Sequence, residues 1–309
     1  MAVPMNSKEW PRFVLPIIRK EWTQKMQEVR SPLMPFFGIS TSNSSVEYSQ
    51  GIGSFDVVPE YNSATAEGQP QAIEYDSFAP LDETTFTHKE YAKGVAIERK
   101  LWDDDRSGQI KRKAQSLGYA FGTTIATHMS SVLNNAFSDS YLGADGEPLC
   151  ETNHGVNSVS SDTFSNTGTT AISYDAVVST LIAGHDLNDD RGNPLPIVYD
   201  TLYVPTALQA TAYEIVNAIG KPGSADNDAN FLNSQGLQVV VDPYLSDANN
   251  WFMLNRSMAQ MHLLWFWRVR PEIALNPSSD YNLVAKYRGY MRYSYGWDDP
   301  RFIYGHEVA

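Results

Sequence analysis

At 309 residues the chain is long enough for about two ordinary domains and for a core that needs neither disulfides nor a structural metal. Its 36 acidic against 23 basic residues, a net charge of −13, exclude a protein whose main work is gripping nucleic acid, because phosphate binding needs concentrated Lys and Arg. One cysteine excludes an intrachain disulfide, and "MAVPMNSKEWPRF" lacks the apolar region of a secretory signal, so the chain is expected to fold in a cytoplasm.

The opening residues, 1–45, predict an arm with one helix over "PIIRKEWTQKMQEVR", ended by the two prolines and glycine of "SPLMPFFG". From Val46 to His88 the pattern becomes short runs separated by Gly, Pro, Asn and Ser, which suits a long two-stranded excursion. It carries Glu47, Asp56, Glu60, Glu67, Glu74, Asp76, Asp82 and Glu83 and not one Lys or Arg. Such a single-sign projection repels its own kind and suits docking on a basic surface elsewhere.

"KEYAKGVAIERKLWDDD" predicts a strand whose closing aspartates suit a helix start, where the dipole favours negative charge. Ile110, Ala114, Leu117, Phe121, Ile125, Met129, Val132 and Ala136 then recur at intervals of three or four, with no proline between Arg106 and Phe137. That predicts a rod helix on the order of 45 Å long. Residues 157–172 read as a Ser/Thr/Asn-rich loop. A central block follows: a helix capped by Ser173, a buried strand "TLYV", a helix with Pro205 near its first turn, and strands in "LQVVVDPYL" and "WFML". The apolar stretch around "MHLLWFW" is far short of the ~20 residues that cross a bilayer, so no membrane partner is expected. From Leu283 to Gly296 the residues alternate with period two, Lys286, Arg288, Tyr290 and Arg292 on one face. This predicts a long half-buried strand with a basic open face.

No motif carries chemistry. "DGEPLCETNHG" sets Cys150 and His154 among carboxylates, but zinc would need further ligands and a thiol nucleophile would need an oriented base. Asp145, Gly146 and Pro148 read as a surface turn. "DLNDDRG" begins like a calcium loop, yet its glycine is one position late and Ile197 stands where the closing Glu belongs. "GKPGS" lacks the first glycine of a phosphate loop, and His88, His128, His185 and His262 each stand alone. No catalytic, metal or cofactor residues are expected.

"DGEPLCETNHG", "DDRGNPLPIVYDTLYVPTALQATAYEIVNA" and "ADNDANFLNSQGLQVVVDPYLSDANNWFML" together resemble the major capsid proteins of tailed bacteriophages, and the Mu-type major head subunits in particular. The likeness runs in order over residues 145–254, and the flanking elements fit the same plan. It departs where the family often has proline at Thr206 and a small hydroxyl residue at Asn153, both matters of turn detail.

The resemblance implies an α+β fold of the Hong Kong 97 type: an N-terminal arm (1–45), an extended loop (46–91), a peripheral domain with the long spine helix (92–172 and 264–309) and an axial domain (173–263). It implies a structural protein that tiles with copies of itself, as hexamers and pentamers, into the icosahedral shell around a phage genome. The loop of one copy would clasp the next, and Glu60, Glu67, Glu74 and Asp76 facing Lys286, Arg288 and Arg292 are the contact candidates. The lysine-free excursion is expected to form no isopeptide bond at its tip. Scaffolding is expected from a separate protein, with a portal and a decoration protein as further partners and DNA as weakly held cargo. An encapsulin-like nanocompartment shares the fold and is the alternative; a secreted adhesin or polysaccharide-acting enzyme would require an export signal.

Overall fold

The computed structural model describes residues 10–52, 58, 75, 80–105, 108–156, 163–223, 228–276 and 284–309. The arm supplies helix α1 (Trp10–Glu28) and strand β1 (Gly38–Thr41), and the excursion begins and ends in β2 (Val46–Ile52) and β3 (Pro80–Thr87). Next come β4 (Lys89–Glu98), the short α2 (Arg99–Asp103) and the spine helix α3 (Gln109–Asn134). Two-residue strands β5 (His154–Gly155), β6 (Thr163–Phe164) and β7 (Thr167–Gly168) lead to α4 (Tyr174–His185), β8 (Thr201–Pro205), α5 (Gln209–Asn217), α6 (Phe231–Gln235), β9 (Gln238–Asp242) and β10 (Trp251–Leu254). The order is completed by α7 (Arg256–His262), β11 (Leu263–Leu275), β12 (Val284–Trp297) and β13 (Ile303–His306).

α3 has 26 residues and is ~39 Å long. The expected stripe is buried from Ile110 to Val132, with Ile125 half-buried. The helix starts at Gln109, directly after Gly108 in a left-handed conformation at φ +68°. Of the three aspartates only Asp105 serves the helix, its carboxylate accepting from the N–H groups of Gln109 (3.0 Å) and Ile110 (3.2 Å). Asp103 ends α2 instead, paired with Arg99 at 2.9 Å.

α1 extends N-terminal of Pro16, where the sequence pattern places its start. Pro16 leaves the Arg12 carbonyl without an intrahelical donor, but buried Val14, Ile18 and Trp22 hold the helix against α3, with Trp22 edge-on to Phe121 at 5.5 Å. Tertiary packing outweighs the local cost.

A four-stranded sheet has the order β1-β11-β12-β4, and a five-stranded sheet the order β7-β13-β10-β8-β9. The five-stranded sheet separates two cores. Tyr203, Phe252 and Leu254 join the core around α3, while Leu202, Val204, Trp251 and Met253 join the core under α4 and α5. Burial on both faces is why "TLYV" and "WFML" read as unbroken apolar runs. Ser173 caps α4 as expected, accepting from the Ala176 N–H at 3.1 Å. Pro205 differs: it ends β8, and a 3-10 turn over Thr206–Leu208 precedes α5.

The junction between the cores holds a fully buried carboxylate. Asp242 Oδ2 accepts from Ser130 of the spine helix (2.5 Å) and from the Tyr203 hydroxyl (2.6 Å), and Oδ1 accepts from the Tyr244 N–H (2.8 Å). Replacing Asp242 by asparagine removes the charge and turns one of its two acceptor oxygens into a donor, which leaves either the two hydroxyls on Oδ2 or the Tyr244 N–H on Oδ1 without its acceptor. The expected cost is about 2 kcal/mol, read as a lower midpoint in urea with an unchanged denaturant slope.

Candidate intersubunit surface

The four-stranded sheet has two unlike faces. One packs on the helices: a Cβ on Gly289 would lie 2.5 Å from the Phe121 ring, Tyr293 donates to or accepts from His128 at 2.6 Å, and Tyr295 meets Ser131 at 3.1 Å. α1 covers the same face, the Tyr287 hydroxyl donating to the Pro11 carbonyl at 2.9 Å. Alternation therefore turns Lys286, Arg288, Tyr290 and Arg292 to the opposite face.

On that face Lys286 and Arg288 are exposed and Arg292 is half-buried. Arg288 stands between Ala274 of β11 and Gly94 of β4, and Lys286 stands beside Ala96, so small neighbours leave both side chains standing clear. Arg292 is different from its expected free state. It lies opposite Glu90 in register, with Nε 3.7 Å from that carboxylate. The acidic candidates Glu60, Glu67, Glu74 and Asp76 lie outside the described residues.

The excursion is rooted on this same face. Phe86, 4% exposed, meets Phe266 at 5.2 Å and sits over Gly296, where a Cβ would come within 2.9 Å of its ring. His88 is buried between Ser42 (3.0 Å) and Ser294 (2.9 Å), and Ser42 donates to Glu47. Burial and then the charge of Arg292 hold the His88 pKa below its usual value, so the neutral ring serves as a relay, donating to one serine and accepting from the other. Ser49 of β2 donates to Asp298 at 2.6 Å, and Asp298 also holds His262 at 3.0 Å. Burial lowers the His262 pKa, but the hydrogen bond and charges of Asp298 and Asp299 outweigh it and raise the balance. The sequence treated His88 and His262 as isolated; their partners lie 206 and 36 positions away, beyond any local pattern.

"DGEPLCETNHG" is a turn, with Gly146 at φ +83° and the Gly143 N–H bonded to the Glu147 carbonyl at 2.8 Å. Its tip lies at the surface as expected, with Gly146 exposed, but the residues that follow from Pro148 to Cys150 are buried. Cys150 is 1% exposed, its amide bonded to the Ala136 carbonyl at the end of α3, and burial pushes its thiol far above the usual range. That thiol is no nucleophile. His154 is fully buried, its Nδ1 2.6 Å from Asp145 and its ring stacked on Phe164. The motif fastens the C-terminal end of the spine helix to the chain that follows. "DLNDDRG" is likewise a turn, Asp189 accepting from the N–H groups of Arg191 (2.9 Å) and Asn193 (2.8 Å). Among the described residues no group of three or more His, Cys, Asp or Glu could hold a metal, and no helix is long and apolar enough to cross a membrane.

Comparison with known proteins agrees with this architecture. The chain is similar to the capsid of cyanophage P-SCSP1u at 13% identity and a TM-score of 0.57, with 89% of this chain and 86% of that chain covered. It is similar to a structure from Microbacterium phage Oxtober96 at 10% identity and a TM-score of 0.56, covering 90% and 91%. The bacteriophage JBD30 capsid matches at 17% identity and a TM-score of 0.56, covering 70% and 91%. The fold is of the Hong Kong 97 type. No match was found among curated proteins. A family profile described as phage capsid protein matches residues 82–305, which favours a phage shell over a nanocompartment. The chain belongs to the phage capsid protein family and is a major capsid protein.

Proposed function

We propose that the chain closes a shell by heterologous contacts between copies in hexamers and pentamers, with the acidic excursion of each copy landing on the basic strip of the next. The observation that carries this reading is that the root of the excursion and the strip share one face of one sheet. In a single-layered shell every copy presents the same face outward, so a projection rooted on that face reaches the same face of its neighbour. Lys286 and Arg288 are the anchors for Glu60, Glu67, Glu74 and Asp76; Arg292 contributes after exchanging Glu90 for an incoming carboxylate. Exposed ion pairs contribute ~0–1 kcal/mol each, so they set register while apolar burial supplies affinity.

Assembly takes place in the bacterial cytoplasm, with scaffolding from a separate protein, a portal at one vertex and DNA as cargo. A decoration protein is a further partner; the JBD30 capsid has been solved with minor capsid protein trimers on it. The protein's work is structural and needs no catalytic group. Electron microscopy of the purified protein, alone and with its scaffolding protein, tests the reading. Closed shells are expected. A solitary globule at every ionic strength, with the excursion folded on its own body, would end it.

A further inference from the structure

The helix side of the molecule carries a second basic surface that the shell contacts above do not use. An open groove of about 580 Å³ runs along α1 between Arg12 and Gln27; Leu15 and Pro16 form its apolar part, and Arg12, Arg19, Lys20, Thr23, Gln24 and Gln27 complete it without a carboxylate. Arg12, Arg19 and Lys20 are exposed. The acids of the same helix are engaged elsewhere: Glu28 pairs with Lys25, and Glu21 accepts from Gln115 of α3 at 2.7 Å. In a chain of net charge −13 a helix face lined without a carboxylate is a local exception.

We propose that this face of α1 is the surface that meets double-stranded DNA, and hence that the helix layer lines the shell's interior; the inference rests on the shell reading above. Position and spacing select DNA over a neighbour's acidic excursion. The excursion is rooted on the opposite face of the sheet, so in a single-layered shell it reaches its neighbour on that side. The spacing also fits a phosphate row. Arg12 and Arg19 are two turns apart, ~10 Å along the axis, about three steps of one strand at ~3.4 Å each. Thr23, Gln24 and Gln27 add neutral donors of the kind that bond phosphate oxygens. Three cations give a weak, sequence-blind and salt-sensitive grip, consistent with cargo that must be released.

The test compares unassembled subunits of the full-length protein, whose α1 face is open to solvent, with those of its Arg12→Gln/Arg19→Gln/Lys20→Gln variant, using a fluorescent duplex of about 30 base pairs titrated between ~50 and ~200 mM salt. Losing three phosphate contacts should flatten the slope of log affinity against log salt by about 2.7, so that the wild type loses about forty-fold more affinity over that range than the variant. The variant should still form shells by electron microscopy, and Arg12→Lys/Arg19→Lys should keep the wild-type slope. Shells with an unchanged slope overturn the assignment while leaving the shell reading intact. Loss of shells with an unchanged slope also overturns it, and makes α1 a protein contact. Failure of the wild type to assemble at all is the separate failure of the shell reading.

Discussion

Replacing Arg288 and Arg292 together by glutamate should lower the yield of closed shells at least tenfold and leave the subunit folded. Both positions lie on the face of β12 turned away from the spine helix, and Arg288 is flanked in register only by Ala274 and Gly94, so the fold loses no packed partner there. Arg292→Glu forfeits one loose pair with Glu90, itself 62% exposed, and sets two carboxylates opposite each other across the strands. That costs a few tenths to ~1 kcal/mol. At the proposed interface the change is larger in kind, because each subunit would swap two attractions for two repulsions against the acidic excursion. A loss of about 1.4 kcal/mol per contact is a factor of ten in each association step, and the contact repeats at every subunit of a shell. Particle yield by sedimentation and microscopy gives the first half of the result. An unchanged near-ultraviolet circular dichroism spectrum gives the second. Normal particle yield would remove the strip from the contact. Arg288→Glu alone is the cleaner variant, since it leaves Glu90 paired, and should show the larger share of the loss.

How much of this was legible in the sequence depended on whether an element has one buried face or two. β12 could be read from its alternation because the helices cover one side and the other is open. Its neighbour β11 escaped as a strand, although it is nearly as long. Register shifts between Trp267 and Val269 and between Val269 and Glu272 break its period, and Pro271 sits inside the second of them, where a missing N–H is tolerated. β13 escaped for another reason. It has four residues and is fixed by pairing with β10 and β7, which are distant in sequence.

The candidate surface was legible in charge and not in place. Counting signs along Val46–His88 and Lys286–Arg292 is enough to nominate an acidic and a basic candidate. It cannot tell that Arg292 has a local carboxylate, or that Phe86, His88 and Ser49 root the excursion on the same face as the strip. Those facts come from pairings across the sheet. The same holds for Cys150 and His154, whose turn chemistry was readable while their burial was not: a Cβ on Gly305 would lie 2.7 Å from the Cys150 sulfur, and no local pattern announces a neighbour 155 positions away.

Gly118→Leu should be the most damaging single change in the subunit. α1 crosses α3 where Gly118 and Gly122, one turn apart, present no side chain. A Cβ on Gly118 would lie 2.3 Å from the Trp22 carbonyl oxygen and 3.0 Å from its carbon, and one on Gly122 would lie 2.8 Å from the Met26 oxygen. The obstacle is backbone, so rotamer changes cannot relieve it; the two helices must move apart. Separation would open the contacts of Trp22, 2% exposed and edge-on to Phe121, and of Ile18 and Val14 beneath it. Against this stands the helix propensity gained by removing a glycine, ~1 kcal/mol. Overpacking of a rigid site costs ~1–3 kcal/mol, and exposing part of a buried tryptophan adds ~3 kcal/mol more. Clash and unpacking therefore win over propensity by several kcal/mol. Gly118→Ala separates the terms, since it brings the same propensity gain with only the first carbon of the clash, and it should still lower thermal stability. A rise in melting temperature for Gly118→Ala would mean that α1 yields easily and that its seam with the spine helix is not what holds the arm.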